Sequence, residues 1–104
     1  MCIEYRLLNE HTISDAYPMP SMERFLNVGK ARLFTTMDLS SAFWQATLSE
    51  EDSLKTDFSF EGMTYCWEGM PFGLKNAPPT FQRLGERVLA TLGGGGYTST
   101  QMIY

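Results

Sequence analysis

The period of apolar and polar positions changes several times along the chain, and each change marks an element. From Cys2 to Leu7, Ile3 and Tyr5 alternate with Glu4 and Arg6, the period-two pattern of a short strand. His11 to Pro20 carries Thr, Ser, Asp and two prolines and predicts an extended loop. Behind a capping Ser21, Met22, Phe25 and Leu26 fall at i, i+3 and i+4, predicting a short helix that ends at Gly29. Alternation returns over Arg32 to Leu39: Phe34, Thr36 and Asp38 share one face of a strand, and Leu33, Thr35 and Met37 the other.

Ser49 followed three residues later by Asp52 resembles a capping box and opens a short helix through Lys55. Two further strands are expected over Thr56–Phe60 and Met63–Trp67. Glu61-Gly62 between them forms a two-residue hairpin turn, with Glu an uncommon first residue. The clearest helix runs from Ala77 to Leu92. Asn76 is placed to cap it, and Pro78 and Pro79 sit in a first turn where missing N–H groups cost little. Ala77, Phe81, Leu84, Val88 and Leu92 make one apolar stripe, while Gln82, Arg83, Glu86 and Arg87 face away from it. Gly93 to Gly96 ends the helix, and Tyr97 to Tyr104 could add a strand of uncertain register. The sum is an α+β pattern, an antiparallel sheet with helices packed on it.

Composition narrows the function classes. With 104 residues, 43% of them hydrophobic, the chain supports one small core and no second one. No run approaches the ~20 apolar residues of a membrane span, so no membrane role is expected. The N-terminus is no secretory signal, which suits an intracellular protein. Eight basic residues against twelve acidic ones give a net charge of -4. The basic residues are scattered, which weighs against strong autonomous binding to phosphate backbones. Cys2, Cys66 and the single His11 have no metal-ligand spacing and are read as reduced thiols and an ordinary polar side chain. Lys75 lies in a glycine-containing loop, but no Gly-Lys-Ser/Thr sequence is present, so a P-loop is rejected.

An Asp at the end of a strand, such as Asp38, is more often a turn residue than a ligand. Its neighbours change that balance. Asp38-Leu39-Ser40-Ser41-Ala42-Phe43-Trp44-Gln45 is followed about thirty residues later by Gly69-Met70-Pro71-Phe72-Gly73-Leu74-Lys75-Asn76-Ala77-Pro78-Pro79-Thr80-Phe81-Gln82. Together with the opening Cys2-Ile3-Glu4-Tyr5-Arg6-Leu7-Leu8-Asn9, Tyr17-Pro18-Met19-Pro20 and Glu50-Glu51-Asp52, they resemble, in order, the reverse transcriptases of gypsy-type long-terminal-repeat retrotransposons. The resemblance covers Cys2 to about Leu92 and implies a partial polymerase fingers/palm domain over residues 1–92. Residues 93–104 are then a Gly-rich linker and a degenerate catalytic-hairpin strand.

The chemistry implied by the resemblance is RNA-directed DNA polymerisation: a primer 3′-hydroxyl attacks a deoxynucleoside triphosphate, assisted by two Mg2+ ions. Its partners would be an RNA or DNA template-primer and the dNTP. By resemblance, Asp38 ligates metal with help from the backbone carbonyl of Leu39, and the amides of Ser41 and Ala42 face the triphosphate. Phe43 sits where the family has an aromatic gate against a ribose 2′-hydroxyl, and Phe72 and Gly73 line the nucleotide pocket. For both phenylalanines, core packing and pocket lining are compatible.

The pattern breaks at the end of the chain. Where the family carries Tyr-x-Asp-Asp, this sequence has Tyr97-Thr98-Ser99-Thr100, so the hydroxyls of Ser99 and Thr100 stand in for two carboxylates. Neutral hydroxyls are poor ligands for paired divalent ions. The chain alone is therefore expected to be inactive, with Mg2+ binding weakened and a cut sheet edge left for a protein partner to cover. The competing expectation is a non-catalytic remnant that binds a protein or single-stranded nucleic acid through Phe43, Phe72 or that edge. A third is a mispredicted or truncated open reading frame with no independent fold.

Overall fold

The computed structural model describes residues 2–18, 32, 33, 35 and 37–91. Its elements are α1 (Arg6–His11), a 3-10 turn (Ala42–Gln45), α2 (Glu50–Leu54), β1 (Phe58–Phe60), β2 (Met63–Tyr65) and α3 (Ala77–Thr91). The architecture is α+β, as expected. Among the described residues, no helix is long and apolar enough to cross a membrane.

The hairpin forms where the alternation and turn signals placed it. Phe58 pairs with Tyr65, Ser59 with Thr64 and Phe60 with Met63, antiparallel. Glu61 and Gly62 both take positive φ (50° and 79°), the pairing that a two-residue turn needs to match strand twist. The strands are shorter than expected, ending at Tyr65 rather than Trp67. Ser49 caps α2 by accepting from the Asp52 amide (3.2 Å), and its hydroxyl donates to the Asp52 carboxylate (3.0 Å). Lys55 bonds Asp52 and Glu51, and this, before the Ser49 hydroxyl, holds the Asp52 carboxyl below its ordinary pKa.

The N-terminus departs from expectation. Residues 2–5 form no strand, and α1 begins at Arg6. Arg, Leu and Glu are good helix formers, and six residues are too few to display a helical period. The helix is held from outside. Tyr5 at its start is buried and its hydroxyl donates to the Thr56 carbonyl (3.1 Å). Burial, chiefly, pushes the Tyr5 phenol above its ordinary pKa. Thr56 is a buried junction: its hydroxyl donates to the Ser53 carbonyl (2.6 Å) and accepts from the Trp67 amide (3.0 Å). Every polar group of Thr56 used here has a partner, which is what makes its burial tolerable.

Arg32 to Leu39 forms no strand at its described positions, 32, 33, 35 and 37–39. Alternation alone does not make a strand; the ladder needs a neighbour to accept its hydrogen bonds, and among the described residues no segment pairs with this one. The helix expected behind Ser21, its end at Gly29, and the segment from Leu92 to Tyr104 lie outside the described residues.

Among the described residues the core is Phe43, Met70, Ala77 and Phe81, with Ala42, Ala46, Leu48 and Leu74 packed around it. Only the N-terminal half of the α3 stripe reaches it. Ala77 and Phe81 are buried, whereas Val88 is 53% exposed. Gln82, assigned to the outer face by periodicity, is instead only 2% exposed. Its Nε2 donates to Glu86 (2.8 Å), and its Oε1 has no partner among the described residues. Residues 13–17 lie along part of the outer flank of α3. Arg83 bonds Asp15 (2.6 Å) and stacks over the Tyr17 ring (4.7 Å), while the Tyr17 hydroxyl donates to Glu86.

Asn76 does not cap α3 with its side chain. A capping side chain accepts from the second or third helical amide, and Pro78 and Pro79 have none to give. Its amide group turns to the 13–17 segment, accepting from the Asp15 N–H (2.9 Å) and donating to the Ile13 carbonyl (2.8 Å).

Candidate nucleotide site

Two stretches some twenty residues apart are brought side by side by backbone pairing. The Leu48 amide donates to the Glu68 carbonyl and the Met70 amide to the Ala46 carbonyl, both at 2.8 Å, around an antiparallel bridge between Thr47 and Gly69. The approach is close enough that only glycine fits at 69: a Cβ there would meet the Trp44 carbonyl oxygen at 2.4 Å. This pairing sets the 3-10 turn Ala42–Gln45 against residues 70–73.

Phe43 is the pivot. It is 5% exposed and meets both Phe72 (centroids 5.3 Å, interplanar 65°) and Phe81 (5.6 Å, 86°) edge-on, the arrangement aromatic quadrupoles favour. Phe72 is half exposed and also neighbours Trp44 (6.5 Å). The surface continues through Trp44–Trp67 (5.2 Å) and Phe58–Trp67 (5.7 Å), so an aromatic seam runs from the hairpin to α3. Gly73 takes φ +92°, a conformation that favours glycine.

Ahead of Phe43 the chain turns sharply. Ser41 is left-handed (φ 52°) and exposed, its carbonyl accepts from the Trp44 amide (3.0 Å), and Gln45 donates to the Ser40 carbonyl (2.8 Å). The Ser41 and Ala42 amides have no hydrogen-bond partner among the described residues. Asp38 and Leu39 precede this turn, both exposed, and Asp38 likewise has no partner among the described residues. The structure thus brings Ala42, Phe43, Phe72 and Gly73 into one locale. Ser99 and Thr100 lie outside the described residues.

The Mg2+ pair implied by the resemblance does not fit the donors described. Two closely spaced divalent ions need several anionic oxygens to offset their repulsion. Among the described residues, no three His, Cys, Asp or Glu side chains converge, so Asp38 belongs to no such cluster.

Three residues whose long-range bonds the sequence reading did not foresee hold this region together. Asn9 bonds the loop at Gly73 and Lys75, Asn76 bonds residues 13–15, and Lys75 donates its Nζ to the Thr12 (3.1 Å) and Asn9 (3.4 Å) carbonyls. Lys75 therefore caps the C-terminal end of α1. These contacts span more than sixty residues of sequence, and no local signal announces them.

The sequence matches the family described as reverse transcriptase (RNA-dependent DNA polymerase) over residues 1–97. It is 50% identical over 90 residues to the retrovirus-related Pol polyprotein from transposon gypsy of Drosophila melanogaster, covering 86% of this chain and 9% of that protein. The Pol polyprotein from Drosophila melanogaster transposon 297 is 48% identical over 91 residues, again covering 86% and 9%. Polyprotein P3 of Commelina yellow mottle virus is 43% identical over 89 residues, covering 85% of this chain and 5% of that protein. The chain thus spans about a tenth or less of the length of these relatives. The match stops at residue 97, before Ser99 and Thr100.

Proposed function

The chain belongs to the reverse transcriptase (RNA-dependent DNA polymerase) family, of the gypsy retrotransposon type, and we propose that its Phe43–Phe72 surface receives the incoming deoxynucleoside triphosphate. In this reading Asp38 is the acidic residue of the site, with the Leu39 carbonyl beside it. The Ser41 and Ala42 amides face the triphosphate, Phe43 opposes a ribose 2′-hydroxyl, and Phe72 and Gly73 line the pocket. The observation that carries it is the junction of the 41–43 and 71–73 stretches at a 5.3 Å aromatic contact, both lying within the family match.

The family's chemistry is nucleotidyl transfer, it generally uses a divalent metal, and its members bind template and primer. For this chain, nucleotidyl transfer to a primer 3′-hydroxyl is the reaction class of the site, and the chain on its own is incomplete for turnover. Asp38 is one carboxylate where paired ions demand several, and Ser99-Thr100 occupies the position of the aspartate pair. Residues 1–92 constitute the polymerase portion in this reading, and residues 93–104 a glycine-rich linker with a degenerate strand. The hairpin β1–β2 exposes Phe60 and Met63 and has no third strand among the described residues. Covering it is the role left to a protein partner, since an isolated hairpin is marginal in water.

Titration of the 15N-labelled chain with dTTP tests the site. Saturable shifts confined to the amides of 41–43 and 72–73 are expected. Shifts that are absent, or spread without saturation, would remove the nucleotide reading.

A further inference from the structure

The nucleotide reading leaves open what fixes Phe72 and Gly73 in place. Leu74 inserts into the core on one side of them, but the 72–75 loop itself is exposed at Phe72, Gly73 and Lys75. A loop with a left-handed glycine at its centre holds one shape only if something outside it fixes its polar groups.

Asn9 does so from the far end of the sequence. Its Nδ2 donates to the Gly73 carbonyl (2.7 Å) and its Oδ1 accepts from the Lys75 amide (2.8 Å), so one side-chain amide bridges both ends of the turn at Leu74. Asn9 is itself fixed: its backbone N–H donates to the Tyr5 carbonyl (2.8 Å), and Tyr5 is anchored through its hydroxyl to Thr56. Lys75 closes the arrangement in the reverse direction through the Asn9 and Thr12 carbonyls. Only a side chain with a donor and an acceptor on one short planar group makes both bonds.

We propose that Asn9 is a positioning residue of the nucleotide site. It holds the Gly73 turn so that Phe72 stays edge-on to Phe43, and it thereby sets the affinity for a deoxynucleoside triphosphate without touching it. The inference rests on the nucleotide reading of the Phe43–Phe72 surface. Asp in place of Asn9 keeps an acceptor for the Lys75 amide and loses the donor to the Gly73 carbonyl; Ala loses both.

The test measures amide exchange and dTTP affinity on the full chain, wild type against Asn9→Ala and Asn9→Asp. In Asn9→Ala the Lys75 amide is expected to exchange about tenfold faster, as for the loss of one hydrogen bond. Amides inside α3 should be unchanged, and dTTP binding should weaken severalfold. Asn9→Asp should keep most of the Lys75 protection yet still weaken dTTP, and it decides the matter if the alanine variant does not fold. Unchanged Lys75 exchange in Asn9→Ala would overturn the clamp. Faster exchange with unaltered dTTP affinity would make Asn9 structural only and overturn the positioning role. No dTTP binding by the wild type would sink the nucleotide reading and Asn9's role in it, while the Lys75 exchange would still report separately on the clamp.

Discussion

Replacing Gly69 by alanine should cost this small protein a large share of its stability, for a reason that can be located in three atoms. A Cβ at position 69 would lie 2.4 Å from the Trp44 carbonyl oxygen, 3.1 Å from its carbonyl carbon and 3.2 Å from its Cα. All three are backbone, so no rotamer change relieves the clash. Ordinary non-bonded separations near 3.5 Å would require the 68–70 segment to retreat by about 1 Å. That retreat stretches the Leu48–Glu68 and Met70–Ala46 hydrogen bonds, the two that join the halves of the site. Overpacking costs about 1–3 kcal/mol and each lost bond about 1 kcal/mol, giving about 3–5 kcal/mol in all. A domain of this length has about 5–15 kcal/mol to lose.

The assay is thermal and urea unfolding followed by far-UV circular dichroism, with Gly62→Ala as the internal control. Gly62 has open space where its Cβ would go, and its cost comes from φ +79° alone, about 1–2 kcal/mol. Gly69→Ala is expected to lower Tm by more than about 10 °C, and well beyond the control. A Gly69→Ala chain melting within about 2 °C of wild type would refute the close approach and the pairing built on it.

Two further expectations address the supports of the site. Thr56→Val removes the hydroxyl that serves Ser53 and leaves the Trp67 amide unpaired. The loss should be about 1–3 kcal/mol by urea unfolding, with Thr56→Ser milder, and equal losses for Val and Ser would contradict the hydroxyl's role. Donation to Glu86, before burial, raises the Tyr17 phenol above its ordinary pKa. The folded pKa then exceeds the unfolded one, so the contribution is complete below about pH 10 and is lost as pH rises through the folded value. The stability gap between wild type and Tyr17→Phe should therefore hold from neutral pH to about pH 9 and close above about pH 10; a gap that persisted would show that Tyr17 does not act through its proton.

What the sequence disclosed follows the range of the forces involved. The β1–β2 hairpin and α2 were legible because their signals are local: alternation around Glu61-Gly62, and Ser49 three residues before Asp52. The start of α3 was legible for the same reason. Helix α1 was not, because the Tyr5 side chain at its N-cap makes no capping bond and the helix's support comes from Thr56 and Lys75, some fifty to sixty residues away. Gln82 was misassigned because periodicity describes a lone helix, whereas in the fold this residue is buried and bonds Glu86. The motifs around Asp38 and Phe72 pointed to the two halves of the proposed site, but neither motif says that Gly69 brings them together or that Asn9 bonds the turn at Gly73.

In the function proposed above, this chain carries a nucleotide site of reverse-transcriptase type without the acids for turnover. Primer extension by the purified chain on an oligo(dT)-primed RNA template, with Mg2+ and then Mn2+, tests it against Asp38→Ala. No extension above the Asp38→Ala background is expected with either metal. Extension by the wild type that disappears in Asp38→Ala would contradict it and would mean that other carboxylates complete the site.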